Sequence, residues 1–435
     1  MSNTPARDKT FIGPEEILRK KKEYLIPCVY HFYQQPMQLV RGEMQYLFDH
    51  TGKRYLDCFA GVSVVNCGHC NPAITKAICD QVNTLQHTTT IYLTENIVNL
   101  AERLAQFTPG RLQKTFFCAS GTEANEGAAL LAALASGRSE FISLRQSLHG
   151  RTKLTMSLTG LSFWRTDPNP SGGVSFAPNP YCYRCPYGKR HPECDLACAN
   201  EIETVIKSAT SGNVAALFAE PIQGNGGVIT PPPDYFLRVR EILDRYGVLL
   251  VIDEVQTGFG RTGKMFGIEH YGVEPDIMTM AKALANGTPV GAFTARPEIA
   301  DKYTRPGAST LGGNPVTAAA ALATLEYIDA EQLAKRAATS GACLRAGLTA
   351  LQQKYPIIGD VRGHGLMLGA ELIQPDGSPA SQQTDIVLEQ LKDRGFLVGK
   401  NGPERNVLAF QPPLVITQAD IDSLLNALDL VFAAV

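Results

Sequence analysis

From about residue 76 to 324 the chain alternates short apolar runs with stretches of helical periodicity. Residues 114–119, 140–144, 214–220, 248–253, 276–281 and 290–294 read as strands. Residues 123–136, 200–211 and 233–246, lying between them, read as helices. This alternation predicts an α/β unit, a mainly parallel sheet covered by helices, with its ligand at the carboxyl ends of the strands. Upstream, 44–48 and 53–58 flank a turn at Asp49-His50-Thr51-Gly52, a hairpin signal within a mixed arm. Downstream, a long helical stretch at 315–351 leads into apolar runs at 357–361 and 366–372. A helix at 384–394, a strand at 408–410 and a last helix at 418–432 follow. This reads as a smaller α+β domain. The expected division is 1–75 for the arm and part of the small domain, 76–324 for the large ligand-binding domain, and 325–435 for the C-terminal small domain.

Composition narrows the setting. With 435 residues, 44% of them hydrophobic, the chain can bury the cores of two or three structural units. A formal charge of −2 without a basic stripe makes nucleic acid and anionic membranes poor partners. Residues 1–10 are polar and lack the apolar region of a signal peptide, and no apolar run approaches the roughly 20 residues of a membrane span. The 11 cysteines, some of them inside apolar runs (Cys118, Cys343), fit reduced thiols and a cytoplasmic location.

Three segments carry chemistry. The apolar run 248–253 ends in Asp253 and Glu254 and opens into a glycine-rich loop, Gln256 to Gly263. An acid at the end of a buried strand is costly unless paired, so it either caps the loop or awaits a cationic ligand. Lys282 ends another apolar strand. Such a lysine is usually solvated, but a desolvated one has a lowered pKa and acts as a nucleophilic amine. In Cys118-Ala119-Ser120-Gly121-Thr122-Glu123 a strand ends and a helix begins. Free N–H groups at that end suit an anion, whereas the plain alternative is a capping box from Ser120 or Thr122.

In order and context these segments resemble the class III aminotransferases, fold-type I enzymes dependent on pyridoxal-5′-phosphate (PLP). The alanine–glyoxylate and 4-aminobutyrate types are closest in pattern. The resemblance runs from Leu47-Phe48-Asp49 to Pro412-Pro413-Leu414, and its most specific block is DEVQTGFGRTG with Lys282 placed 29 positions after Asp253. It implies a seven-stranded, mainly parallel sheet in the large domain and a homodimer with the active site at the interface. Lys282 would carry the cofactor as a Schiff base and then shuttle protons, and Asp253 would pair with the pyridinium nitrogen. Gln256 would bond the ring 3′-oxygen, and Ser120, Gly121 and Thr122 would hold the phosphate, joined by Thr310 from the partner subunit. Leu148, His149 and Glu220 would complete the cofactor site. Val62, Arg151 and Ala409 fall at substrate positions. The implied reaction moves an amino group from a small amino acid or amine to an oxo acid such as pyruvate or glyoxylate.

Three departures bear on that reaction. Leu148 stands where an aromatic usually stacks on the ring, a loss of roughly 0.5–1.5 kcal/mol of stacking. Ala409 stands where relatives place the Arg that clamps an α-carboxylate, and Asn225 where some have its Glu partner. Either Arg151 or Arg261 supplies the missing cation, or the substrate has no α-carboxylate. The second option motivates an alternative reaction, a PLP-dependent ammonia-lyase or phospho-lyase acting on a small phosphonate- or phosphate-bearing amine. A racemase ranks below it. A non-catalytic scaffold is a further class, disfavoured because Lys282 and Asp253 are both retained.

Outside these segments, Cys182-x-x-Cys185 and Cys194-x-x-x-Cys198 have spacings compatible with a structural Zn²⁺, with His191 as a spare ligand. The plain alternative is a loop of free thiols, and no metal is expected at the catalytic site. Trp164, the one tryptophan, reads as packing in a loop rather than as part of a pocket entrance.

Overall fold

The computed structural model describes residues 11–435. Its central element is a seven-stranded sheet in the order Lys114–Cys118, Gly291–Ala295, Ile277–Met280, Leu249–Asp253, Val214–Ala219, Glu140–Leu144, Val174–Ala177. Only Gly291–Ala295 runs antiparallel to its neighbours. The four-strand run from Ile277–Met280 to Glu140–Leu144 is parallel, as is the outer pairing with Val174–Ala177. Strand Val214–Ala219 is buried at every residue, as a sheet covered on both faces requires. The seventh strand, Val174–Ala177, is one that periodicity misses, because its four residues lie among Gly, Pro and Asn.

Helix Gly121–Ser136 shows how local sequence positions the site. Ser120 caps it by accepting from the Glu123 N–H at 3.2 Å, and Gly137 ends it at φ 69. Its buried face is built from Ala124, Ala128, Ala129 and Ala132, small enough to bring the backbone close to the sheet. Gly127 takes the approach furthest, since a Cβ there would lie 2.3 Å from the Phe293 ring. The helix N-terminus is thereby held against the strand ends.

Two smaller sheets lie beyond. One, in the order Leu39–Glu43, Tyr46–Asp49, Arg54–Asp57, Phe396–Leu397, contains the expected hairpin, with Tyr46 opposite Leu56 and Phe48 opposite Arg54. Its last pairing is parallel and joins residues near both ends of the chain. The other runs Ile358–His364, Met367–Leu372, Val407–Phe410, Gly399–Asn401, all antiparallel. Helix Gln418–Phe432 begins where the apolar periodicity places it and is fixed by a Thr417–Asp420 capping box. The long helical stretch at 315–351 is two helices, Pro315–Ala330 and Leu333–Lys354. Gln332, in left-handed backbone at φ 51, turns the chain between them without Gly or Pro to signal it. Among the described residues no helix is long and apolar enough to cross a membrane.

Candidate active site

A cavity of about 380 Å³ opens where the strands ending at Cys118, Ala219, Asp253 and Met280 meet the N-terminus of helix Gly121–Ser136. Ser120, Gly121, Thr122, Leu148, His149, Arg151, Glu220, Asp253, Gln256 and Lys282 all line it. Trp164 lines it too, so that residue belongs to the pocket rather than to plain packing.

Asp253 ends its strand 3% exposed. Its Oδ2 accepts from Asn125 Nδ2 at 2.8 Å and faces His149 Nδ1 at 2.8 Å, while its Oδ1 accepts from the Val255 N–H at 3.0 Å. Asn125 is fixed in turn by Thr279, whose hydroxyl donates to Asn125 Oδ1 at 2.7 Å. The acid is therefore paired by dipoles and an imidazole rather than by a lysine or arginine. Asn125 is a site residue that the motif reading passes over. Its signal is an amide near the start of the helix that follows Ser-Gly-Thr, on the face turned to the sheet, where a buried polar group must find partners.

Lys282 is half-buried and sits in left-handed backbone at φ 49, at the head of the short turn Lys282–Ala285. Strain of this kind concentrates at functional sites. Burial pushes its amine down to about 8, opposed by the pull of Asp253 and Glu220. Glu220 is displaced the other way, up to about 7. Burial is the main cause and Asp253 adds to it, while His149 and the N–H groups of Leu148 and Gly224 oppose. Those two amides donate to its carboxylate at 2.9 and 3.0 Å.

Two polar atoms in the cavity wall are buried without a partner among the described residues, His149 Nε2 and Gln256 Oε1. Orphans of this kind call for a ligand. At Gly121 a Cβ would meet Val255 Cγ1 at 2.9 Å, so only glycine lets the helix start this close to the cavity. An amine whose charge burial disfavours, a buried carboxylate across the cavity, unsatisfied polar atoms between them and a helix N-terminus at one end fit pyridoxal-5′-phosphate, which offers an aldehyde, a ring nitrogen, a ring oxygen and a phosphate.

Three of the expected site residues lie outside this lining. Val62 is half-buried at φ 70 in the turn 60–63. Ala409 is fully buried with Ile222, Val228 and Met367, and Phe59 packs over them. Thr310 is exposed on the loop before helix Pro315–Ala330. Of the two cations considered for an α-carboxylate, Arg261 is spent on structure. It is wholly buried and donates to the Leu366 and Pro412 carbonyls and to Asn66 Oδ1. Arg151 is exposed in the cavity wall and makes no ion pair among the described residues. The zinc candidates Cys182, Cys185, Cys194 and Cys198 are free thiols. Among the described residues no group of three or more His, Cys, Asp or Glu side chains could hold a metal ion. His191 faces Asp234 instead, at 2.9 Å.

Residues 30–432 match the family described as aminotransferase class-III. The chain is 42% identical over 424 residues to alanine–glyoxylate aminotransferase 2 homolog 2, mitochondrial, of Arabidopsis thaliana, covering 96% of this chain and 88% of that protein. It is 39% identical over 427 residues to a leucine/methionine racemase of Thermococcus litoralis, covering 97% and 96%. Among solved structures, a Bacillus anthracis aminotransferase superposes with a TM-score of 0.91 at 32% identity, covering 97% of this chain and 98% of that one.

Proposed function

The chain belongs to the class III aminotransferases, which are pyridoxal-5′-phosphate-dependent enzymes, and from that footing we propose that it moves an amino group from a small amino acid or amine to an oxo acid such as pyruvate or glyoxylate. The observation that carries this reading is the meeting, in one cavity, of the desolvated Lys282 amine, the buried Asp253 carboxylate and the free N-terminus of helix Gly121–Ser136. When bound, the cofactor supplies an electron sink for the carbanion formed as the substrate loses a proton beside its nitrogen.

The chain's own residues then have separable tasks. The Lys282 amine, poised near neutrality by burial, holds the cofactor and serves as the base that takes and returns the proton. Asp253 keeps a proton on the ring nitrogen, and Asn125 and His149 keep Asp253 aimed. The N–H groups of Gly121 and Thr122 take the phosphate, where the helix dipole favours negative charge. Gln256 Oε1 and His149 Nε2 are placed for the ring, and Leu148 lines the cavity without an aromatic face. Arg151 is the cavity cation left to receive a substrate carboxylate.

The working unit in this reading is a cytoplasmic homodimer, with Thr310 reaching the partner's phosphate site. Leu93 is fully exposed, Ile91 and Tyr92 are 82% and 69% exposed, and Leu311 beside Thr310 is 56% exposed. Apolar surface this bare is normally covered by a partner. Leu93→Arg is expected to shift the protein from dimer to monomer in sedimentation velocity and to abolish activity. A variant that stays dimeric removes this surface from the interface.

The reaction is tested by a single turnover on the purified holoenzyme. Amino acids, ω-amines and aminophosphonates are added without any oxo acid, and absorbance and ammonia are followed together. The expected result is one oxo product per site, no ammonia, and recovery of the starting spectrum on adding pyruvate. Continuous ammonia release without an acceptor overturns transfer and makes the enzyme a lyase.

A further inference from the structure

Arg405 is a cation without an acid. It lies in the turn between strands Gly399–Asn401 and Val407–Phe410, in left-handed backbone at φ 58. Among the described residues its guanidinium makes no ion pair, not even with Glu404 beside it in sequence. It stands instead among three aromatic rings, 5.7 Å from the centroid of Tyr30, 5.3 Å from Phe32 and 5.4 Å from Phe163. These rings come from the N-terminal arm and from the turn Ser162–Trp164, so two remote segments converge on one charge.

The cage adjoins the active-site cavity through Trp164. Phe163 meets Trp164 edge-on at 5.2 Å, and Trp164 lines the cavity. On the other side Phe32 lies 6.1 Å from Phe59, which packs over the cluster that contains Ala409. Aromatic faces attract a cation, but they accept none of the five N–H bonds a guanidinium offers. A half-buried arginine normally draws a carboxylate. Here rings occupy the flanks and the donors are left over, in a strained backbone conformation of the kind that clusters at ligand sites.

We propose that Arg405 is a specificity-determining residue that receives the acidic group at the far end of the amine donor, a carboxylate or phosphonate several bonds from the reacting nitrogen. The proposal rests on the amine-substrate reading above and narrows its substrate class. It also accounts for Ala409. With no arginine at that position and Ala409 sealed under Phe59, the acid-binding cation of this region is Arg405, beyond Trp164. Arg151, in the cavity wall, remains for an α-carboxylate.

The test compares wild-type holoenzyme with Arg405→Leu and Arg405→Lys. The donors are 4-aminobutyrate, 3-aminopropylphosphonate, alanine and butylamine. Inhibition constants of the unreactive acids butanoate and propylphosphonate are measured alongside. In Arg405→Leu the preference, as 1/KM, for the better distal-acid donor over butylamine is expected to fall roughly 10–100-fold, the loss of a charged hydrogen bond. The matching unreactive acid should weaken in parallel, the preference for alanine over butylamine should hold, and Arg405→Lys should recover part of the loss. Whichever acid responds more, carboxylate or phosphonate, identifies the natural group. If distal-acid donors and butylamine weaken together, Arg405 merely pins the arm and the proposal is overturned. It is equally overturned if neither donor nor inhibitor responds. The inhibition constants are equilibrium readouts, so they decide the matter even if the single-turnover experiment shows ammonia release instead of transfer.

Discussion

Lys282→Ala is expected to lower turnover by roughly 10⁴-fold or more, because it removes the covalent attachment of the cofactor and the general base in one change. The purified variant should lose the visible absorbance of the lysine-bound cofactor while still binding the cofactor through the phosphate and ring contacts. A small added amine should restore part of the rate, since the cavity is otherwise intact. Stability of the cofactor-free protein supplies an independent readout. The Lys282 amine is lowered from 10.5 to about 8 by burial, so the folded state resists its protonation. That penalty is absent above pH 10.5, grows as the pH falls toward 8, and is complete below it. Cofactor-free Lys282→Ala should therefore melt higher than wild type at pH 7, and the advantage should disappear as the pH is raised past 10.5. Retention of full activity would remove Lys282 from the mechanism. A melting difference independent of pH would mean the amine is not desolvated.

Asp253→Asn is expected to lower kcat at least roughly 100-fold, the scale of losing one preorganised electrostatic partner in a dry site. The substitution keeps the shape and removes the charge. It also rearranges the hydrogen bonds, because Asp253 now accepts from Asn125, His149 and the Val255 N–H. An amide has one acceptor oxygen and two donor hydrogens, so at least one of these groups loses its acceptor. An unsatisfied buried polar group costs about 1–3 kcal/mol. The expected signature is a large fall in kcat with weaker cofactor retention and a modest fall in melting temperature. A fall in cofactor affinity alone, with kcat unchanged at saturation, would make Asp253 a binding residue with no part in holding the ring proton.

Much of this was legible before any coordinates, for identifiable reasons. The strands ending at Asp253 and Met280 are mostly apolar, and charged residues stand at or just past their ends, Asp253 and Glu254 in one and Lys282 in the other, so both the elements and their reactive ends stand out. Helix Gly121–Ser136 announces itself through a serine cap and a glycine stop. Helix Pro72–Thr84, which straddles the boundary drawn at 75 and is not among the expected helices, carried a usable signal as well, Asn71 as cap with proline at the first turn. The break at Gln332 had none, because a left-handed glutamine looks like any other glutamine in sequence. The site's second layer was also hidden. That Asn125 should meet Asp253 and Thr279 depends on three segments brought together only by the sheet order. The same holds for Arg405, whose aromatic neighbours lie hundreds of residues away in the chain, and for Arg261, which motif reading offered as a substrate cation although three buried oxygens already hold it.

Strand Arg54–Asp57 takes its outer partner from Phe396–Leu397, and the Lys392 amine reaches back to the Gln35 carbonyl at 3.0 Å. On the ribosome this makes the beginning of the chain wait for its end. At roughly 5–20 residues per second, the hairpin emerges with one bare edge and keeps it for on the order of half a minute before its mate is synthesised. An unpaired edge is an invitation to another chain. Nascent molecules stalled before Phe396 should therefore be the aggregating species and the natural clients of chaperones, whereas the seven-stranded sheet, complete once Ala295 has been made, is free to close earlier.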